Sequence, residues 1–446
     1  MKILTFRHII RKPNGIIFVN RGVISFVFST YLCHMKQFFQ SIEFKRENYP
    51  WYVMLLFVFA IPLCKKAIVP LGILFFITLL FSLKKEMLRK RLSTNKPLLL
   101  SIAYYLIFAI GLLWTENMKC GIFDLELKLS FLFFPVMFYM LPFQIERRKM
   151  KIILKAFVAG SFVAILICLI HATIAFIKLP VVYYTFVSSR LSFLHHPTYF
   201  AMFLNFSLII ILVWKRQNKI KDIPVILLSA IIAFFNWLLM SRAGIGTTLI
   251  ILFVFWVSLF FEKKYKSAII SLLVFAIVSL IAVNTSKYTM QRLRKTEVLV
   301  KEITAEPKTQ PAKSIDSGSR FVIWKSALNA IRLQPIIGAG TGDVHSVMDQ
   351  YYSENDMDIA LEKSLNAHNQ FLQSWVAVGI IGFLLIIAMF VAGFIRNKKN
   401  KDLIGAGFLM VCFLTMLIES TLETQSGIVF FSFFYALFLT YRSDEE

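Results

Sequence analysis

The sequence predicts an all-α polytopic membrane protein of about twelve transmembrane helices, with one long outer loop between the ninth and tenth. Three observations carry that fold class. The 446 residues are 58% hydrophobic and only 17% charged, whereas about a quarter of a soluble domain is charged. The apolar residues come in blocks near the roughly 20 residues that cross a bilayer. The basic residues fall between those blocks rather than on one folded face. A soluble enzyme with one buried core and a disordered chain are both excluded. The formal net charge of +24 fits loops that face anionic lipid, so membrane lipids are expected partners and nucleic acid is not.

In chain order, the apolar blocks predict helices at 51–64, 67–83, 98–114, 121–141, 152–177, 197–214, 223–240, 243–261 and 266–283, and then at 371–394, 403–418 and 426–440. The block 121–141 is the most polar of these, with Glu126 and Lys128 near its start. Connections after even-numbered helices hold 21 lysines and arginines, against 6 in the short connections after odd-numbered ones. The positive-inside bias therefore puts the even connections and both chain ends in the cytoplasm. The apolar stretch 15–33 is not counted as a span: Arg21 and Gly22 interrupt it, and inserting it would reverse the charge bias. Translation is expected to start at Met35, which N-terminal sequencing of the native protein checks. The five cysteines have no C-x-x-C spacing, so neither a disulfide framework nor a zinc site is expected.

These elements divide the chain into a cytoplasmic segment 1–50, helices one to nine over 51–283, an outer loop subdomain 284–370, and helices ten to twelve with a cytoplasmic tail over 371–446. Within the loop, residues 319–333 have helical apolar spacing at Val322, Ile323, Leu328 and Ile331, ended by Pro335 and Gly338. A mobile segment is expected near 304–318. The phenylalanine-rich blocks read as lipid-facing bulk.

Against so clean a charge bias, cations on the outer face call for a reason. Arg242 stands in the hinge Ser241-Arg242-Ala243-Gly244, Arg190 precedes His195-His196-Pro197, Arg320 opens the loop helix, and His368-Asn369 marks re-entry into the membrane. Short hinges bring Arg242, His195, His196 and His368 to similar depth. Ionisable groups at that level are candidates for function. Guanidinium groups grip phosphate bidentately, and a histidine beside them suits a general base near neutral pH. The combination points to chemistry on a phosphate-bearing lipid. Competing structural readings are an arginine snorkelling to lipid phosphate, a helix-entry turn at His195-His196, and a helix cap at His368. Glu116 reads as a solvated loop acid, and Glu419 and Glu423, four residues apart, read as solvated acids in preference to lining a cavity.

These residues resemble the O-antigen ligase and polymerase superfamily. His368-Asn369-Gln370-Phe371 running to Gly379-Ile-Ile-Gly382 fits the ligase pattern of His, then Asn/Ser/Gln, nine residues, Gly, two residues, Gly. Ser241-Arg242-Ala-Gly244, Gly318-Ser-Arg320-Phe-Val-Ile-Trp324 leading to Gly338-Ala-Gly340, and Arg190 with His195-His196-Pro197-Thr-Tyr199 agree with it. The family's Arg-x-x-x-Leu is not matched: Gly246 follows Arg242, and Trp324 follows Arg320, at that offset.

The resemblance implies a glycosyltransferase-C-like enzyme of the bacterial inner membrane, without metal or cofactor, that moves a glycan from undecaprenyl diphosphate to an acceptor sugar such as lipid A–core at the periplasmic face. His368 would be the base, and Arg242, Arg320 and Arg190 would hold the diphosphate. Asn369, His195 and His196 would orient the base or bind acceptor. Repeat-unit polymerisation and protein O-oligosaccharyl transfer are the nearest alternatives, and a polysaccharide transporter is the one outside the class. Transporters tend to place paired charges at the midplane, while here the unusual polar residues gather at one face.

Overall fold

A computed structural model describes residues 48–178, 185–217, 220, 222–265 and 320–442, with residues 269, 272 and 276. The expected ninth helix at 266–283, apart from residues 269, 272 and 276, the start at Met35 and the segment 304–318 lie outside the described residues. Contacts divide the chain after Tyr49, and the architecture that follows is that of Pro50–Glu446.

All regular structure among the described residues is helical. The helices are α1 (Tyr49–Ala60), α2 (Lys65–Phe81), α3 (Lys85–Thr94), α4 (Leu98–Gly111), α5 (Met118–Lys128), α6 (Ser130–Met140), α7 (Arg147–Lys178), α8 (Ser188–Leu191), α9 (Pro197–Arg216), α10 (Asp222–Leu238), α11 (Arg242–Phe261), α12 (Arg320–Leu333), α13 (Val344–Glu354), α14 (Asp358–Glu362), α15 (Gln370–Lys399), α16 (Leu403–Met416) and α17 (Gln425–Thr440). Among the described residues, α7, α9, α11 and α15 are each long and apolar enough to cross a bilayer, and the bent pair α2–α3 passes the same test taken together. The chain is an integral membrane protein.

Most of the other expected spans are shorter apolar helices, and the block 121–141 divides into α5 and α6 at Leu129. The loop helix forms as expected, but its buried stripe is Ile323, Ala327, Ala330 and Ile331, while Leu328 faces outward.

Helices α9 and α17 are the centre of the bundle, buried along nearly their whole length. The phenylalanines correct the lipid-facing expectation. Phe57, Phe131, Phe157, Phe203, Phe206, Phe430 and Phe434 are fully buried. Phe157 and Phe206 each meet Phe434 edge-on with ring centres 5.0 Å apart. Lipid tails are as apolar as a protein core, so hydrophobicity does not sort side chains between them. Packing geometry does, and edge-to-face rings pack well. Others, such as Phe81, Phe253 and Phe261, do face outward.

Two devices position the outer end. Buried Asn205 of α9 accepts from Thr248 Oγ1 (2.7 Å) and Asn236 Nδ2 (2.9 Å), and donates to the Gly244 carbonyl (3.0 Å). A Cβ on Gly244 would lie 2.4 Å from Ala201 Cβ, so glycine there lets α11 close on α9 and fixes the 241–244 hinge.

The second device is a break in α15. Val378 and Gly379 leave helical geometry, Gly379 at φ 69° and ψ −163°, a region essentially reserved for glycine. The outer loop fills the gap: Ala339 N–H donates to the Val376 carbonyl (2.8 Å), Gly340 N–H to Ala377 (3.0 Å), and Ile380 N–H to Pro335 (3.1 Å). The loop thereby satisfies backbone groups that lipid could not.

The connections meet in two sets. After odd helices, Asp343 accepts from the Glu116 and Asn117 amides (2.8 Å each), Ser241 bonds Thr198 (3.3 Å), and His195 bonds Ser426 (3.1 Å). After even helices, Tyr139 bonds the Asn95 carbonyl (3.0 Å) and Arg216 pairs with Glu262 (2.8 Å).

Candidate functional site

Three consecutive residues after α16 collect the side chains at the loop's re-entry. The Leu417 carbonyl accepts from Asn369 Nδ2 (3.1 Å), and the Ile418 carbonyl from Arg320 Nε (2.8 Å). Glu419 lies between His368 Nδ1 (3.1 Å) and Arg320 (3.6 Å). A helix C-terminus offers unpaired carbonyls and partial negative charge, which explains why cationic and amide donors gather there.

His368 sits at φ 43°, a left-handed conformation in which histidine is enriched among non-glycine residues. Its N–H donates to Asn366 Oδ1 (3.0 Å), and its carbonyl accepts from Trp324 Nε1 (3.4 Å). Trp324 is four residues after Arg320, on the same face of α12. Asn369 then caps α15, its Oδ1 accepting from the Phe371 (3.0 Å) and Leu372 (3.1 Å) amides. Asn369 thus orients the histidine through the backbone and the 417 carbonyl.

The Glu419 side chain is 9% exposed, which corrects the solvated reading. Burial alone would raise its carboxyl, but the hydrogen bond and charge of His368, with the charges of Arg320 and His196, hold it below its ordinary value. An ionised carboxylate only accepts hydrogen bonds. In the neutral imidazole, His368 Nδ1 therefore carries the proton toward Glu419 and Nε2 is the acceptor nitrogen. The His368 side chain keeps partial exposure, 25%.

The two adjacent histidines divide. His196 caps α9, accepting from the Thr198 amide (3.4 Å), and its ring feels the charges of Glu419, His368 and Arg320. Burial lowers its pKa. His195 turns away among Phe200, Phe203 and Ser426 and is 2% exposed. Burial, with Lys65 nearby, pushes its pKa down to about 4. It is a packing residue, since adjacent side chains at a helix entry point in different directions. Arg242 is exposed at the start of α11, where Ser241 rather than the arginine makes the capping bonds. Arg190 is exposed in the four-residue α8. Arg320 is the arginine that reaches the histidine's carboxylate.

Beneath this group lies a charged network that the sequence reading passed over. Fully buried Lys128 bonds Asp124 (2.8 Å) and Glu423 (2.9 Å), with its ammonium 4.5 Å from the centre of the Phe108 ring. Gln370 donates to Glu423 (3.2 Å) and accepts from the Leu422 amide (2.6 Å), and Ser374 bonds Tyr104 (2.8 Å). The network ties α5, the start of α15 and the 419–424 hinge together. Glu423 is thus an ion-pair partner and not a solvated acid.

The reading without a metal also passed over Asp356-Met357-Asp358, an Asp-x-Asp triplet in the outer loop. Both acids are exposed, and among the described residues no third metal-ligating side chain joins them.

Across 89 residues the chain is 32% identical to a Haemophilus influenzae protein described as uncharacterized, a stretch that is 19% of this chain and 22% of that protein. The chain therefore spans about a fifth of the length of the curated relative it matches. Residues 225–387, which contain Arg242, Arg320, His368 and the α15 break, match the family model described as O-antigen ligase. Over that stretch the chain is similar to the O-antigen ligase family, which supports the superfamily that its motifs resemble.

Proposed function

We propose that the chain is an O-antigen ligase-type glycosyltransferase that moves a glycan from undecaprenyl diphosphate to an acceptor sugar, lipid A–core in the first instance, at the periplasmic face of the inner membrane. The observation that carries this reading is the His368–Glu419 pair with Arg320 on the same carboxylate. It supplies a base of fixed tautomer beside a guanidinium. His368 Nε2 takes the acceptor hydroxyl's proton as that oxygen attacks the anomeric carbon. The bond from that carbon to the diphosphate breaks on the opposite side, inverting the centre, and the electron pair leaves with the diphosphate. Arg320, with Arg242 and Arg190 from the same end of the bundle, stabilises the developing charge, in the role that a metal ion serves in other transferases. Asn369 and His196 position the base.

The even connections are cytoplasmic in this reading, and twelve helices span the membrane. A lipopolysaccharide gel from a strain lacking the gene, complemented with wild type or His368→Ala, tests it. Bare lipid A–core with accumulated undecaprenyl-linked polymer supports the ligase. Lipid A–core carrying a single repeat reassigns the chain as a repeat-unit polymerase. An unchanged ladder points to another acceptor, a protein in the case of O-oligosaccharyl transfer.

A further inference from the structure

At the end of the bundle away from His368 lies a recess that is partly open to solvent. Lys90, Arg91 and Asn95 form one wall, and Thr440 and Arg442 form another. Glu146 is the acid among its lining residues, which leaves the wall two positive charges in excess.

Arg442 stands near enough to both Arg91 and Arg396 for their charges to repel. None of the three arginines has a carboxylate partner among the described residues. Arg91, 6% exposed, donates to the Phe138 carbonyl (2.8 Å) and to that of Phe143. Burial and Arg442 push its pKa down to about 10. Arg396 Nε, Asn95 Oδ1 and Thr440 Oγ1 are buried with no hydrogen-bond partner among the described residues. Arg91 and these orphaned polar atoms are buried beneath exposed Lys90 and Arg442, and gathered like charges with unpaired buried polar groups are costly unless an anion joins them.

The location narrows the anion. Helix α3 turns 115° from α2, so it runs across the end of the bundle instead of continuing along it. It exposes Lys85, Arg89 and Lys90 beside Leu92, the make-up of a basic helix lying in a membrane interface. Guanidinium groups there match phosphate oxygens.

We propose that this recess binds the phosphate of an anionic membrane lipid between Lys90, Arg91 and Arg442, joining α3 to the C-terminal end of α17. The inference stands apart from the transferase reading, which concerns the opposite end of the molecule.

The test uses the full chain in phosphatidylcholine nanodiscs with and without phosphatidylglycerol, read by melting temperature and by lipid retained in native mass spectrometry. Phosphatidylglycerol should raise the wild-type melting temperature. Lys90→Ala/Arg442→Ala should bind it about 30-fold more weakly, with unchanged melting in pure phosphatidylcholine. Lys398→Ala/Lys399→Ala, which removes two exposed charges elsewhere at that end, should keep the wild-type response. Equal loss in both double variants would overturn the proposal in favour of diffuse attraction. Glycerol 3-phosphate reproducing the rise in pure phosphatidylcholine would overturn the lipid assignment in favour of a soluble phosphate. Binding seen only in a chain ended at Arg442 would make the acidic residues Asp444, Glu445 and Glu446 the occupant instead.

Discussion

Glu419 Oε1 lies 3.1 Å from His368 Nδ1, while Oε2 of the same carboxylate faces Arg320 at 3.6 Å. One acid therefore sets the tautomer of the proposed base and anchors the guanidinium beside it. His368→Ala is expected to lower turnover by about 10²–10⁴-fold, the usual contribution of a general base. Glu419→Gln, which keeps shape but removes the charge, should lower it by about 10²-fold or more. Donor-lipid binding should survive in His368→Ala. Wild-type turnover in either variant, measured with purified enzyme, would defeat the assignment.

Acid stability should show two separate windows. His195 titrates at about 4 in the fold against an ordinary 6.5. Between those values the open chain binds the proton and the fold does not, so stability falls as pH drops from 6.5 towards 4, by about 3 kcal/mol in all. His195→Gln should flatten that slope. Glu419 has the opposite origin: its carboxyl is depressed below 4.5, so its contribution is full above 4.5 and fades as pH falls through the folded value. The melting temperatures of wild type and Glu419→Gln should converge only there. Melting curves in detergent from pH 7 to pH 3 separate the two.

Lys128→Met strands Asp124 and Glu423 inside the bundle. Removing one partner of a buried ion pair costs about 3–5 kcal/mol, so this variant should melt far below wild type. Lys128→Met/Glu423→Gln removes opposite charges together and should recover part of the loss. If the double variant melts no higher than the single, the network is not acting as an ion-pair unit.

Gly379→Ala should prevent the re-entry from forming. An added Cβ would sit 1.9 Å from the Ile336 carbonyl oxygen, at a positive φ. Gly246→Ala, whose Cβ would meet nothing within 4 Å, is the matched control. Accumulation and melting temperature of the two variants should diverge sharply. Parity between them would mean that the loop does not depend on the break.

Most of the helices were legible because a bilayer imposes length and polarity on each of them separately. His368 and Arg320, which the structure brings to one carboxylate, stood out because a cation or imidazole on the expected outer side goes against the charge bias. Glu419, Glu423 and Lys128 were not, because each looks like an ordinary loop or helix-end charge until residues 51, 295 and more positions apart are brought together. The buried phenylalanines were misread for a related reason: in a lipid-soluble chain, composition does not distinguish the face that meets a neighbour from the face that meets the tails. His195 and His196 could not be told apart either, since which of two adjacent side chains turns inward depends on the helix phase at Pro197.

The break in α15 also has a bearing on how the protein is made. Residues 335–340 leave the ribosome before 376–380, yet neither set of backbone groups is satisfied without the other. In the proposed orientation the loop waits on the far side of the bilayer until its partner helix is threaded. Chain segments between the two can vary in length and side chains, but the order of delivery and the spacing of those few amides cannot. An insertion within 335–340 should therefore appear as failed membrane assembly and degradation, before any effect on turnover could be measured.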